Sequence, residues 1–344
     1  MKKRAPNQSV TIGDTTVTPG KRATINLPVG DLYTATPLSM PVHVVCGRTE
    51  GPTLFVSAAI HGDELNGVEI IRRLLARKIL RSLRGTLLAI PVVNVYGFLN
   101  QSRYLPDRRD LNRSFPGRSK GSIAARLANT FIRQIVAKAD YGIDLHTGAL
   151  NRCNLPQIRG NLDDAKTMQL ARVFGVPVII NANIRDGSLR DCAADRGMPV
   201  LTYEAGEALR FEELSIRAGL RGVLNVMRCI NMLPGNINPL TPVLAQSTIW
   251  VRAPVSGIIR ERVALGSAVT KGQRLATISD PLGSHEEVTL APCDGIIIGC
   301  NNLPLTHEGN ALFNVAAFKS PDGAEELVEE FTAIYESGDG VDQT

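Results

Sequence analysis

The chain has 344 residues, 44% hydrophobic and 21% charged, with 38 basic against 33 acidic side chains and a formal net charge of +5. That length fits one large domain or two ordinary ones, and that balance excludes intrinsic disorder, collagen and coiled coil. The positive excess is small and spread along the chain, and aromatic residues are only 5%, so neither a nucleic-acid surface nor a base-stacking platform is expected.

The basic start MKKRAPNQSV leads into no apolar stretch, so no secretory signal is expected. VTIGDTTVTPGKRATINLPV alternates polar and apolar residues between the glycine turns at Gly13, Gly20 and Gly30, which predicts short antiparallel strands. Residues 1–40 are therefore read as a β segment attached to the domain that begins near residue 41. TLFVSAAI is an apolar run of buried-strand length, and GVEIIRRLLARKIL has helical spacing. GTLLAIPVV is a second buried strand. The apolar stretch around it is broken by Pro91 and Asn94 and is too short to span a membrane. GSIAARLANTFIRQIVAKA is an amphipathic helix, followed by the strand YGIDLHT. NRCNLPQIRGNLDD has no period and is read as a pocket-lining loop. MQLARVFG (helix), VPVII and MPVLTYEA (strands) and LSIRAGLRGVLNVMRCINML (helix) complete the pattern. Strands alternating with helices predict an α/β domain over residues 41–236, with a mostly parallel or mixed central sheet flanked by helices.

At PGNINPLTP the helical period stops. Residues 237–330 show short β-runs between glycine turns, with APVSGII loosely repeated as APCDGII, which predicts a smaller all-β module with internal pseudo-symmetry. The end, 331–344, is expected to be a flexible tail. The six cysteines, Cys46, Cys153, Cys192, Cys229, Cys293 and Cys300, make no C-x-x-C pair and read as scattered reduced thiols of a cytoplasmic protein.

Four segments carry candidate chemistry. In AAIHGDELNG, His61 and Glu64 flank a turn at the end of a buried strand, where an α/β sheet presents its ligands. Imidazole nitrogen and carboxylate oxygen are both good zinc ligands, and His146, at the end of IDLHTG, would complete an open three-ligand set. In RYLPDRRDLNRSFPG, Asn112 and Arg113 suit bidentate recognition of a carboxylate, with Arg103 a further cation nearby. In TYEAGE, Glu204 follows a strand and could act as a general base, with Glu207 the competing choice. Asp144 is either a partner of the site or a strand-end residue turned away. His43, His285 and His307 read as surface histidines.

HGDE, DLNR, DLHTG and YEAGE, in this order, resemble the succinylglutamate desuccinylase/aspartoacylase family, a branch of the zinc carboxypeptidase-like fold. The resemblance runs from about residue 40 to 320. It implies one Zn2+ held by His61, Glu64 and His146, with Glu204 as general base. It implies Asn112 and Arg113 on the substrate carboxylate, and Asp110 as the carboxylate that holds a zinc-bound histidine in its tautomer. The family's arginine that polarises the scissile carbonyl most resembles Arg103, with Arg108 and Arg109 as alternatives. The implied activity is hydrolysis of the amide bond of small N-acyl amino acids. A zinc carboxypeptidase acting on small peptides is the nearest alternative, and a non-catalytic metal-binding or regulatory protein of the same fold is the second. The C-terminal part resembles a biotinyl/lipoyl module, but its hairpin SDPLGSHEEV lacks the carrier lysine, so a structural role that narrows access to the site is expected. The expected partner is a small substrate, with no nucleic acid and no membrane. A homo-oligomer is compatible with the sequence, which identifies no interface.

Overall fold

The structure is a computed structural model and describes residues 5–182, 185–318 and 323–336. In chain order its first part contains β1 (Val10–Ile12), β2 (Thr15–Val17), β3 (Arg22–Asp31), β4 (Pro37–Cys46), β5 (Thr49–Ala58), α1 (Asn66–Ala76), β6 (Arg84–Ile90), α2 (Val95–Leu99), α3 (Ile123–Gln134) and β7 (Tyr141–His146). There follow β8 (Arg152–Gly160), α4 (Ala165–Phe174), β9 (Val178–Asn181), α5 (Leu189–Ala194), β10 (Val200–Gly206) and α6 (Glu213–Cys229). The last part is β11 (Val243–Ala245), β12 (Ser247–Arg252), β13 (Gly257–Arg260), β14 (Ala268–Val269), β15 (Arg274–Ser279), β16 (Glu286–Leu290), β17 (Gly295–Asn301), β18 (Leu305–Thr306), β19 (Ala311–Ala317) and α7 (Ala324–Glu336).

A large mixed sheet runs through most of the molecule in the order β12-β19-β17-β8-β10-β7-β5-β6-β4-β3, with β9, β11 and β14 attached off that path. Its centre, β10-β7-β5-β6, is parallel, as apolar strands covered on both faces require. On one face Ile143, Leu145, Leu201 and Tyr203 pack with residues of α1, α4 and α6. On the other, Phe55, Leu88 and Ile90 pack with residues of α3 and α5. The helices form because apolar side chains recur at turn spacing: Leu127, Ala128, Phe131 and Ile132 of α3 are all buried. Ser122 caps that helix by accepting from Ala125 N at 3.2 Å. Asp164 does the same for α4, and Gly175, left-handed at φ 90°, ends it.

The stretch NRCNLPQIRGNLDD, expected to be a loop, is the central strand β8. Proline normally argues against a central strand because it cannot donate to the ladder. Pro156 is accommodated at a gap. β17 pairs with β8 only at residues 152–154, β9 only at 157–160, and the β10 pairing shifts register between Glu204 and Gly206.

Beyond α6 come the strands β11–β19 and then α7, and the large sheet continues into them. β17 joins β8 by the register Cys300↔Cys153, and β11 joins β9. A separate sheet, β16-β15-β13-β18, packs against β17 and β19 through Ile259, Leu275, Ile278, Ile297 and Phe313. Residues 331–336, expected to be tail, instead end α7, because Phe331 and Tyr335 are buried against Ala218 of α6. The rest of that expected tail, 337–344, lies outside the described residues, as do Met1–Arg4. Among the described residues no helix is long and apolar enough to cross a membrane.

Candidate metal centre and its cavity

Three parallel strands bring the candidate residues together at their C-terminal ends. After β5, Ala59 takes a left-handed φ of 51° and turns the chain into His61-Gly62-Asp63-Glu64. Gly62 is required there by space: a Cβ would lie 2.0 Å from the backbone carbon of Gly97 in α2. The loop is thereby pressed against α2, with His61 and Glu64 buried. On β7, Asp144 and His146 are two apart and so project from the same face. Parallel register sets Glu204 of β10 directly beside His146, and Thr202 beside Asp144. Opposite-face neighbours Ile143, Leu145, Leu201 and Tyr203 lie in the core and fix that orientation.

His61, Glu64 and His146 each offer one ligand atom, and these atoms lie within 4.8 Å of one another. Glu64 Oε1 is 2.7 Å from His61 Nδ1, and its Oε2 is 2.7 Å from His146 Nδ1. The outer nitrogen of each ring faces another carboxylate: His61 Nε2 is 3.1 Å from Asp110 Oδ1, and His146 Nε2 is 2.6 Å from Asp144 Oδ2. Asp144 is itself held by Ser57, whose hydroxyl donates to Oδ1 at 2.7 Å. Asp110 also caps the turn Leu111–Arg113 by accepting from Asn112 N at 2.8 Å.

This donor set fits a divalent cation. Two imidazoles present inward nitrogens, each with its outer N–H taken by a carboxylate, the arrangement that fixes a ligand histidine's tautomer. The carboxylate between them would complete a set of three ligands. Without a cation, burial alone would raise the Glu64 pKa, but the two imidazoles hold it well below the usual carboxylate range. Burial opposes charging of His61 and His146, yet the carboxylates around each outweigh it and raise both. A cation replaces those protons, so its affinity falls with acidification.

The cavity is about 740 Å³, and His61, Glu64, Arg103, Asn112, Arg113, His146 and Glu204 all line it. Asp110 reaches the site through His61. Arg103 spans the two acids, Nη1 3.3 Å from Glu64 Oε1 and Nη2 3.1 Å from Asp110 Oδ2. Arg108 and Arg109 do not line the cavity, and Arg109 pairs with Asp107 at 3.6 Å. Glu204 Oε2 accepts from Asn154 Nδ2 at 2.9 Å. Glu207 turns away: its two oxygens accept from Asn151 N and Asn302 Nδ2. Asn112 Oδ1 accepts from Leu189 N at 2.9 Å, tying the Asn112–Arg113 turn to the start of α5. His43, His285 and His307 lie outside the cavity.

Sequence reasoning left Asp144 undecided and did not find Ser57 or Asn154. The D-x-H spacing on a strand was the available signal for Asp144, because a period of two puts both side chains on one face.

Comparison with known proteins places these features in context. The family model of the succinylglutamate desuccinylase/aspartoacylase catalytic domain matches residues 50–230. The N-alpha-acetyl-L-2,4-diaminobutyric acid deacetylase of Halomonas elongata is 29% identical over 269 residues, covering 74% of this chain and 79% of that protein. A succinylglutamate desuccinylase/aspartoacylase from Rhodobacter sphaeroides has a similar fold, with a TM-score of 0.77 at 24% identity over 86% of this chain and 95% of the other. So has the product-bound ectoine utilization protein EutE (DoeB) from Ruegeria pomeroyi, with a TM-score of 0.78 at 23% identity over 87% and 95%.

Proposed function

The chain belongs to the succinylglutamate desuccinylase/aspartoacylase family, and on that premise we propose that it is a zinc-dependent hydrolase of the amide bond in small N-acyl amino acids. The observation that carries this reading is the convergence of His61, Glu64 and His146 in one buried cluster with Glu204 in the adjacent register position. The name of the Halomonas elongata relative, a deacetylase of an N-acetylated amino acid, supports the same bond class.

His61, Glu64 and His146 would hold the cation, which supplies Lewis acidity toward water and the amide carbonyl. Asp110 and Asp144 keep both imidazoles turned with Nδ1 inward. Glu204 takes a proton from the attacking water and returns it to the leaving amine. Asn154 donates to one of its oxygens, Oε2, and Glu204 lines the cavity. Arg103, fixed beside Glu64 and Asp110, stands where it can stabilise negative charge developing on the carbonyl oxygen. Asn112 and Arg113 bind the α-carboxylate, so a part of the substrate that does not react sets its orientation.

The test is metal quantification on protein purified without chelator, together with a screen of N-acetyl, N-succinyl and N-formyl amino acids and dipeptides, read as free amine. Close to one zinc per chain and amine release from an acyl amino acid is the expected result. Release from dipeptides alone would favour a small-peptide carboxypeptidase. A metal-free, inactive protein would leave only a binding role for the cavity.

A further inference from the structure

The six cysteines are scattered along the sequence, but the fold brings two of them face to face. Cys153 of β8 and Cys300 of β17 are direct partners in the antiparallel register Gly299↔Asn154, Cys300↔Cys153, Asn301↔Arg152. Direct partners project from the same face of a sheet. Two residues along the same ladder, Asn302 N donates to Asn151 O at 2.8 Å. Bonded pairs alternate with unbonded ones, so Cys153 and Cys300 are a hydrogen-bonded pair, with Cα atoms about 5.5 Å apart. Disulfides usually join Cα atoms about 4.4–6.8 Å apart. The other cysteines are placed differently: Cys46 lies opposite Thr86, Cys192 is in α5, Cys229 ends α6, and Cys293 precedes β17.

Both thiols are free and half-buried. Their contacts are weak: Cys153 Sγ donates to Glu212 Oε2 at 3.8 Å, and Cys300 Sγ to Asn302 Oδ1 at 3.6 Å. They also stand clear of the candidate metal centre. Arg152 and Asn154, on either side of Cys153, line the cavity, and alternation along β8 turns Cys153 to the other face. Burial pushes both thiols above their ordinary range, and the carboxylates of Glu212 and Glu207 push them further, with Arg262 opposing this at Cys300. Thiols held protonated are slow to attack, and once joined they are slow to leave. That suits a lasting cross-link and not a rapid switch. Its place matters too. β8 and β17 meet in three register pairs, and through them the large sheet passes from the strands that carry His146 and Glu204 to β19 and β12.

We propose that Cys153 and Cys300 are an oxidation site, where a peroxide converts the pair into a disulfide that staples β17 to β8. One thiolate displaces hydroxide from hydrogen peroxide and becomes a sulfenic acid. The second sulfur attacks that sulfur, the S–S bond forms, and water leaves. Both thiols are oxidised, and the peroxide is reduced to water. The loop so closed takes in α4, α5, β10 and α6, and a cross-link over a long stretch chiefly restricts the unfolded chain.

The test compares the full-length protein, reduced, with the same protein treated with hydrogen peroxide at about pH 8.5, where more thiolate is present. Thiols counted after denaturation should fall by two from the six of the reduced chain, and intact mass should fall by about 2 Da. Peptide mapping should join the Cys153 and Cys300 peptides. Cys153→Ser and Cys300→Ser should each abolish the internal link, and Cys293→Ser should leave it. The oxidised chain should melt above the reduced one, a gain that Cys300→Ser should lose. The link should persist in a glutathione buffer that reduces an exposed peptide disulfide. Six thiols after treatment, a different cysteine in the mapped pair, or a link between two chains would overturn the site. Equal melting of the two forms, or reduction as fast as that of the exposed disulfide, would overturn its stapling role.

Discussion

At the residue scale the centre depends on the groups behind the ligands as much as on the ligands. Asp144 holds His146 from behind and is itself held by Ser57. Asp144→Asn should therefore weaken zinc binding about 10–100-fold, read by competition with a chromogenic chelator. Unchanged affinity would mean that His146 needs no such support. Glu204→Gln should leave the metal content intact and lower kcat by about 10²–10⁴; near-normal turnover would remove Glu204 from its role. The cluster of His61, Glu64 and His146 was legible in HGDE and DLHTG because each motif sits where a buried strand ends. Asp144 was less so, since the sequence alone does not say which face of its strand meets the cavity. Arg159 and Arg190, which line the cavity, could not be placed there from the sequence. The first lay in a segment without period, and the second in a helix too short to show one.

At the element scale, packing between secondary structures sets the loops. Gly62→Ala would push a methyl group into the backbone of α2. The expected outcome is about 1–3 kcal/mol of lost stability by denaturant unfolding, with zinc affinity lowered as His61 and Glu64 shift. A second element contact is ionic: Arg73 of α1 bridges Glu69 on its own helix and Glu213 on α6. Hydrogen bonds from the arginines, Arg72 first, hold the Glu69 carboxyl down at about 2, and Arg73 and Arg217 hold Glu213 at about 2. Both values are depressed below the ordinary 4.5. The contribution is thus complete above that value and disappears as pH falls from about 4.5 towards 2. Solvent screening limits it to about 1 kcal/mol or less. Arg73→Met should flatten the acid limb of a stability–pH curve over that window and leave pH 7 turnover unchanged. Helices α1, α3 and α6 and the parallel strands were readable because their apolar periods are long. β8 was not, since Pro156 interrupts it and the polar Asn154 and Arg159 face a polar cavity.

At the scale of the whole molecule, the change of composition at PGNINPLTP marks where the alternation of strands and helices stops, not where the sheet stops. β17 hydrogen-bonds to β8, and Gln246, Thr248 and Trp250 on or beside β12 line the cavity that also holds His61, Glu64 and His146. Arg152, at the start of β8, lies over the Trp250 ring with 5.2 Å to its centroid, a cation–π contact across the two parts. A chain ended at residue 236 would bare the β8 and β9 edges and the apolar faces of Leu155, Val178 and Ile180. It should elute as aggregates in size-exclusion chromatography and bind a hydrophobic dye. A monomeric, metal-binding fragment would show that the first 236 residues fold alone.

That shared ladder has a use in protein engineering. Most of the connecting stretch over 234–241 is exposed, so the polypeptide can be cut there and the halves produced as separate genes. Neither half would hydrolyse anything, because one carries the cage and the other an outer wall. Mixed during expression, they have a backbone-templated seam along which to reunite, and recovered amide cleavage would make the pair a two-part reporter of proximity.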